Sequence, residues 1–256
     1  MPNWVKNKVR FADKRVIKEC YSEVNGEELF DFNKIIPMPK TMHLTSGGNE
    51  IISIMYALKQ MSEEKREEVI KKLKETSGDN FYENYYEKLF KWGHNYTDED
   101  YEKADKELKD TIKGKKQDIF DNVDYKGLGI KDLKDLGNTY INNILEYGYD
   151  TWYDWANENW DTKWGACHTY YVDENNIEFD CAWSCPYKVL KEISKKYNTK
   201  VEVEYADEDI GRNCGRIVFK NGKEIDYSVG NREFAYEVWD YTDEEIAELE
   251  SYDEEE

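Results

Sequence analysis

The sequence predicts an α+β protein: a small α+β domain built from residues 1–49 and 151–230, interrupted by a mainly α-helical insertion over 50–150 and followed by an acidic tail over 231–256. Three observations predict it. Apolar and polar residues alternate near the N-terminus; the middle of the chain switches to helical periodicity; and alternation returns after residue 167 with hairpin-forming turns between the runs.

Asn3 to Phe11 alternates with Val5, Asn7, Val9 and Phe11 on one face, the pattern of a half-buried strand carrying one polar residue inward. Asp13 is placed to cap a helix over 14–24 with Val16, Ile17, Cys20, Tyr21 and Val24 on one stripe and Asn25-Gly26 as its stop. Glu28 to Ile36 alternates again, until Pro37-Met38-Pro39 removes two backbone donors and ends any ladder.

In the insertion, helical runs over 51–61, 62–75, 80–92, 98–113 and 133–147 are separated by glycine pairs and Thr-Ser-Gly-Asp, and Ser62 and Thr97 read as N-caps. Beyond it, 167–173 and 177–183 form a hairpin through Glu174-Asn175-Asn176. Pro186 opens a helix with Val189, Leu190, Ile193 and Tyr197 inward, stopped by Asn198. Residues 200–205, 216–219 and 224–229 complete the strands, the last two joined by a two-residue Asn221-Gly222 turn.

Charge and composition narrow the function. The 36 basic against 56 acidic residues give −20, which disfavours direct binding to nucleic acid or an anionic membrane and favours a basic partner. Residues 240–256 hold ten acids and no base, a run that reads first as a solvated, frayed end and second as an interaction element. No apolar leader or run of about 18 apolar residues is present, and five scattered cysteines suit a reducing compartment. Together these predict a cytoplasmic protein with free thiols.

Four stretches carry a family resemblance: Pro2-Asn3-Trp4 with Asn7; Phe30-Asp31-Phe32-Asn33-Lys34-Ile35-Ile36-Pro37-Met38-Pro39; Thr162-Lys163-Trp164-Gly165-Ala166; and Ala182-Trp183-Ser184. In order and placement they resemble the YubB-type ferredoxin-like domain family of phages, plasmids and other mobile elements. The resemblance covers about half of the chain and implies a ferredoxin-like, mostly antiparallel sheet with helices packed on one face. It implies no catalytic residues. Asp161 stands where the family commonly has glycine, and Cys185 where it commonly has a first proline.

Trp4, Asn7, Asn33, Lys163, Trp164 and Trp183 are the candidate binding cluster, an aromatic and amide set with one lysine suited to a peptide, base or small ligand. The alternative is that the tryptophans pack the core and the two asparagines bond loop backbone. In the insertion, Tyr82, Tyr86, Tyr96 and Tyr101 are candidate interface residues, while Phe81, Tyr85, Leu89 and Trp92 form a core stripe. Glu204, Asp207, Glu208 and Asp209 form an acidic loop able to stand in for phosphates. Neither the cysteines nor His43, His94 and His168 have the spacing of a metal site or a catalytic triad, and the glycines lack phosphate-loop context. No metal or cofactor is expected.

These readings point to a non-enzymatic, phage-type protein that binds and inhibits a basic host protein handling nucleic acid, such as a CRISPR effector. The alternatives are a small-ligand binder or uncharacterised enzyme using Asn33, Lys163 and Trp164, and an assembly protein whose tyrosines meet a second copy; oligomeric state is open.

Overall fold

The computed structural model describes residues 2–24, 26–47, 49–76, 96–114 and 123–253. The run expected over 80–92, with Phe81, Tyr82, Tyr85, Tyr86, Leu89 and Trp92, lies outside them. The chain divides into two compact units, Met1–Pro37 with Ala156–Glu256, and Met38–Trp155.

The first unit opens with β1 (Trp4–Phe11) and α1 (Arg15–Cys20), then a separate two-stranded sheet of β2 (Tyr21–Val24) and β3 (Glu27–Phe30). The helix expected over 14–24 therefore ends at Cys20. Val24 pairs with Glu27 and Gly26 takes φ +84, so Gly26 lies between two paired strands and not at a helix stop, and Asn25, the other half of the expected stop, lies outside the described residues. The strand expected over 28–36 stops at Phe30, because the Asp31 side chain accepts from Asn33 N at 2.9 Å and caps a 3₁₀ turn over Phe32–Lys34.

The second unit contains α2 (Glu50–Lys59), α3 (Glu63–Thr76), α4 (Asp98–Ile112), α5 (Leu133–Tyr147) and the start of α6 (Trp152–Trp160). Thr97 and Asp100 form the reciprocal capping box that starts α4. α2 and α5 meet at Gly137, where an added Cβ would lie 1.9 Å from Ser53 O. Around this contact Ile54, Ala57, Leu58, Leu136, Tyr140, Ile141 and Ile144 form an apolar core.

The first unit resumes with β4 (Cys167–Tyr171), β5 (Asn176–Ala182), α7 (Tyr187–Lys196), β6 (Lys200–Asp207), β7 (Cys214–Lys220), β8 (Lys223–Val229), α8 (Arg232–Trp239) and α9 (Asp243–Asp253). Six strands pair antiparallel in the order β4-β5-β1-β6-β7-β8. β5, α7 and β6 form a split β-α-β crossover, with β1 inserted between the two strands.

The inner face follows the alternation read from the sequence. Val5, Asn7, Val9 and Phe11 are buried and stand opposite Ile177, Phe179 and Cys181 on one side and Val201 and Val203 on the other. Phe30 stacks between Phe11 (5.7 Å) and Phe179 (5.6 Å), and α7 adds Val189, Leu190 and Ile193.

One helix departs from the one-face arrangement. α8 packs Ala235 and Val238 onto Ala206 and Cys214 on the opposite, outer face, and Trp239 Nε1 donates to Ala206 O at 3.1 Å. The stretch from 231, expected as tail, thus begins with a docked helix.

Candidate functional site

Strand alternation sends Trp4, Lys6, Lys8 and Arg10 to the outer face, away from the buried set on β1. Thr162 Oγ1 donates to Ala182 O at 2.9 Å and pins the loop that brings Trp164 within 6.0 Å of Trp4, ring centre to ring centre. Lys163 Nζ lies 4.6 Å from the centre of the Trp164 ring, a cation–π contact. His168 completes the group, 5.0 Å from Trp4 and with Nδ1 2.8 Å from Asp180 Oδ2. It reaches that position because the β4–β5 register shifts between Cys167 and Tyr170 and His168 takes φ +47.

Farther along the same face, basic β1 runs between two acidic strands. Lys6 stands opposite Asp180, Lys8 opposite Glu178 and Glu204, and Arg10 opposite Glu202, which sets opposite charges at facing positions across the sheet. A cavity of 340 Å³ opens there, lined by Lys8, Arg10, Glu178, Glu202 and Glu204 among others. Lys6 also sits 5.2 Å from the Trp239 ring centre, and Lys8 bonds Asp240 at 2.5 Å.

Of the six candidate binding residues, the structure brings Trp4, Lys163 and Trp164 together. Asn7 lies on the inner face, fully buried; its amide donates to Val5 O at 2.8 Å and its Oδ1 has no partner. Asn33 is exposed on the 3₁₀ turn, held by Asp31 at 3.1 Å. Trp183 is 52% exposed at the end of β5, where its amide donates to Asn3 O. Opposite faces of one sheet separate Asn7 from Trp4, so shared motif membership does not make them one site.

The interface candidates divide similarly. Tyr101 is buried with Ile52, Ala104 and Leu133, and Tyr96 packs on it at 6.0 Å, so Tyr101 is a core residue of its unit. Asp207 is buried, accepting from Asn3 at 3.2 Å, Asn213 at 3.1 Å and Asp209 N at 2.9 Å. It organises the 208–213 loop and is closed to a partner. Glu204 is half-buried opposite Lys8, while Glu208 and Asp209 are exposed.

Four of the five cysteines are buried and Cys167 is half-buried. Burial pushes Cys20 up to about 11 and raises Cys167, Cys181, Cys185 and Cys214, so each stays a protonated thiol. Among the described residues, no group of three or more His, Cys, Asp or Glu is arranged to hold a metal ion, and no helix is long and apolar enough to cross a membrane. Sequence reasoning missed the His168–Asp180 pair and Trp239. Only the strand register and the docking of α8 bring these to the outer face.

Residues 159–250 match the family model described as the ferredoxin-like domain in Api92-like protein, which shows the ferredoxin-like fold for that part of the chain. Among solved structures, the crystal structure of a protein api92 from Yersinia pseudotuberculosis is similar, at 10% identity over 90% of this chain and 99% of that one with a TM-score of 0.41. No curated protein matches the chain.

Proposed function

We propose that this is a non-enzymatic protein that binds, and so blocks, a basic host protein that handles nucleic acid, a CRISPR effector being one such target. The observation carrying this reading is α9. Half of the −20 net charge falls within residues 240–256, and six of those ten acids lie on α9, Asp243–Asp253. Thr242 and Glu245 form a reciprocal capping box at its start, which holds the Glu245 carboxyl below its ordinary range. Ile246 and Leu249 are half-buried, leaving Glu244, Glu245, Glu248 and Glu250 exposed. Carboxylates held on a helix lose less entropy on meeting a basic channel than carboxylates on a mobile tail.

The test is affinity capture from bacterial lysate at low and high salt, with the full chain and with a chain ending at Thr242. A basic nucleic-acid enzyme recovered at low salt, inhibited by the full chain and lost on truncation supports the proposal. Capture indifferent to salt and truncation, or no capture, overturns it. A second reading, a small-ligand site, is favoured by the Trp4, Trp164 and His168 rings gathered on the outer face. Its test is a ligand screen in which Trp164→Ala abolishes the hits.

A further inference from the structure

The far edge of the sheet carries its own recognition chemistry. All seven residues of β8 are exposed, including Ile225 (56%), Tyr227 (51%) and Val229 (75%). The other edge is occupied differently: Phe30 N of β3 donates to Thr169 Oγ1 of β4 at 3.3 Å. On β8 the bond from Gly230 N to Cys214 O, at 2.9 Å, fixes which backbone groups face β7. By antiparallel alternation Ser228 and Gly230 bond inward, and Tyr227 and Val229 direct their N–H and C=O groups outward.

We propose that β8 pairs antiparallel with β8 of a second copy, about a two-fold axis at Tyr227, to make one continuous sheet across two chains. The strand is self-complementary only near that register. Centred on Tyr227, in the regular stretch past the register shift at Ile225, Asp226 stands opposite Ser228 and Tyr227 opposite its counterpart, so ring meets ring and no like charges stand directly opposite. Centred on Asp226, two carboxylates oppose; centred on Ile225, Glu224 opposes Asp226. Centred on Ser228, the ladder runs past the end of β8 at Val229. The strand is locally balanced despite the acidic chain, because Arg216 binds Asp226 at 2.8 Å and Lys223 is adjacent to Glu224. This self-complementarity selects a second copy over an unrelated strand, whose sequence would have no reason to match both faces. A single strand pair is a small interface, so the dimer is a weak, concentration-dependent one.

Sedimentation velocity of the full chain, from low micromolar to several hundred micromolar, tests this. The expected result is a shift from the 30.5 kDa chain toward twice that mass. Val229→Pro removes an outward N–H and no bond to β7, and edge strands tolerate proline; Tyr227→Lys places a charge on the two-fold axis. Both variants should stay monomeric throughout, with circular dichroism melts confirming that they fold. A wild-type chain that remains monomeric at every concentration overturns the proposal and leaves the edge to a different protein. So does a dimer that persists in either folded variant.

Discussion

Asn7 and Asp154 are two polar residues whose surroundings work against them. Asn7 is fully buried with its Oδ1 unpaired, and an unpaired buried carbonyl costs about 1–3 kcal/mol. Asn7→Leu, which keeps the side chain's branching and number of heavy atoms, is therefore expected to hold or raise the melting temperature, and a marked fall would show that the amide is structurally required. The Asp154 carboxyl is raised from 3.8 to about 6, first by burial and then by the charge of Asp150. A raised acid binds its proton more tightly in the folded state, so its contribution to stability is complete below pH 3.8 and is lost as pH rises through about 6. Asp154→Asn should flatten that part of the stability profile and melt higher than wild type at neutral pH. Asp161 shows a residue-scale departure with a local use. It takes φ +60, the conformation glycine adopts freely, and its Oδ2 accepts from Lys188 N at 2.9 Å near the start of α7. The sequence showed the departure, but the amide it serves is far away along the chain.

Helix and strand boundaries follow the strongest local chemistry. The capping box at Thr97 was legible as a spacing, and Thr97→Ala should cost about 1 kcal/mol, measurable as a lower thermal midpoint. The Asn221-Gly222 turn was equally legible, and both residues take positive φ, 51° and 73°. The Tyr21–Val24 stretch was misread because its apolar positions fit a helical stripe as well as a strand; pairing with Glu27–Phe30 decided it. Gly137 was inconspicuous in sequence. Its importance is the 1.9 Å approach of a would-be Cβ to Ser53 O, a clash with rigid backbone. Gly137→Ala should destabilise the helical unit by about 1–3 kcal/mol or more, seen as lost hydrogen-exchange protection in α2 and α5.

At the scale of the molecule, composition and alternation determined the α+β class and the inward face of β1, and the family resemblance implied the mostly antiparallel sheet. The class and that inward face depend on period and burial, which a single strand carries within itself. The same local information predicted a cluster of Trp4, Asn7, Asn33, Lys163, Trp164 and Trp183, of which the fold assembles three. Tertiary structure decided the rest. It set the β4–β5 register that brings His168 to Asp180, the docking of α8 beneath Lys6, the burial of Tyr101 and Asp207, and the exposure of β8. Each of these depends on which distant segment arrives at a given face, and that is settled by competition among long-range contacts that no local pattern encodes.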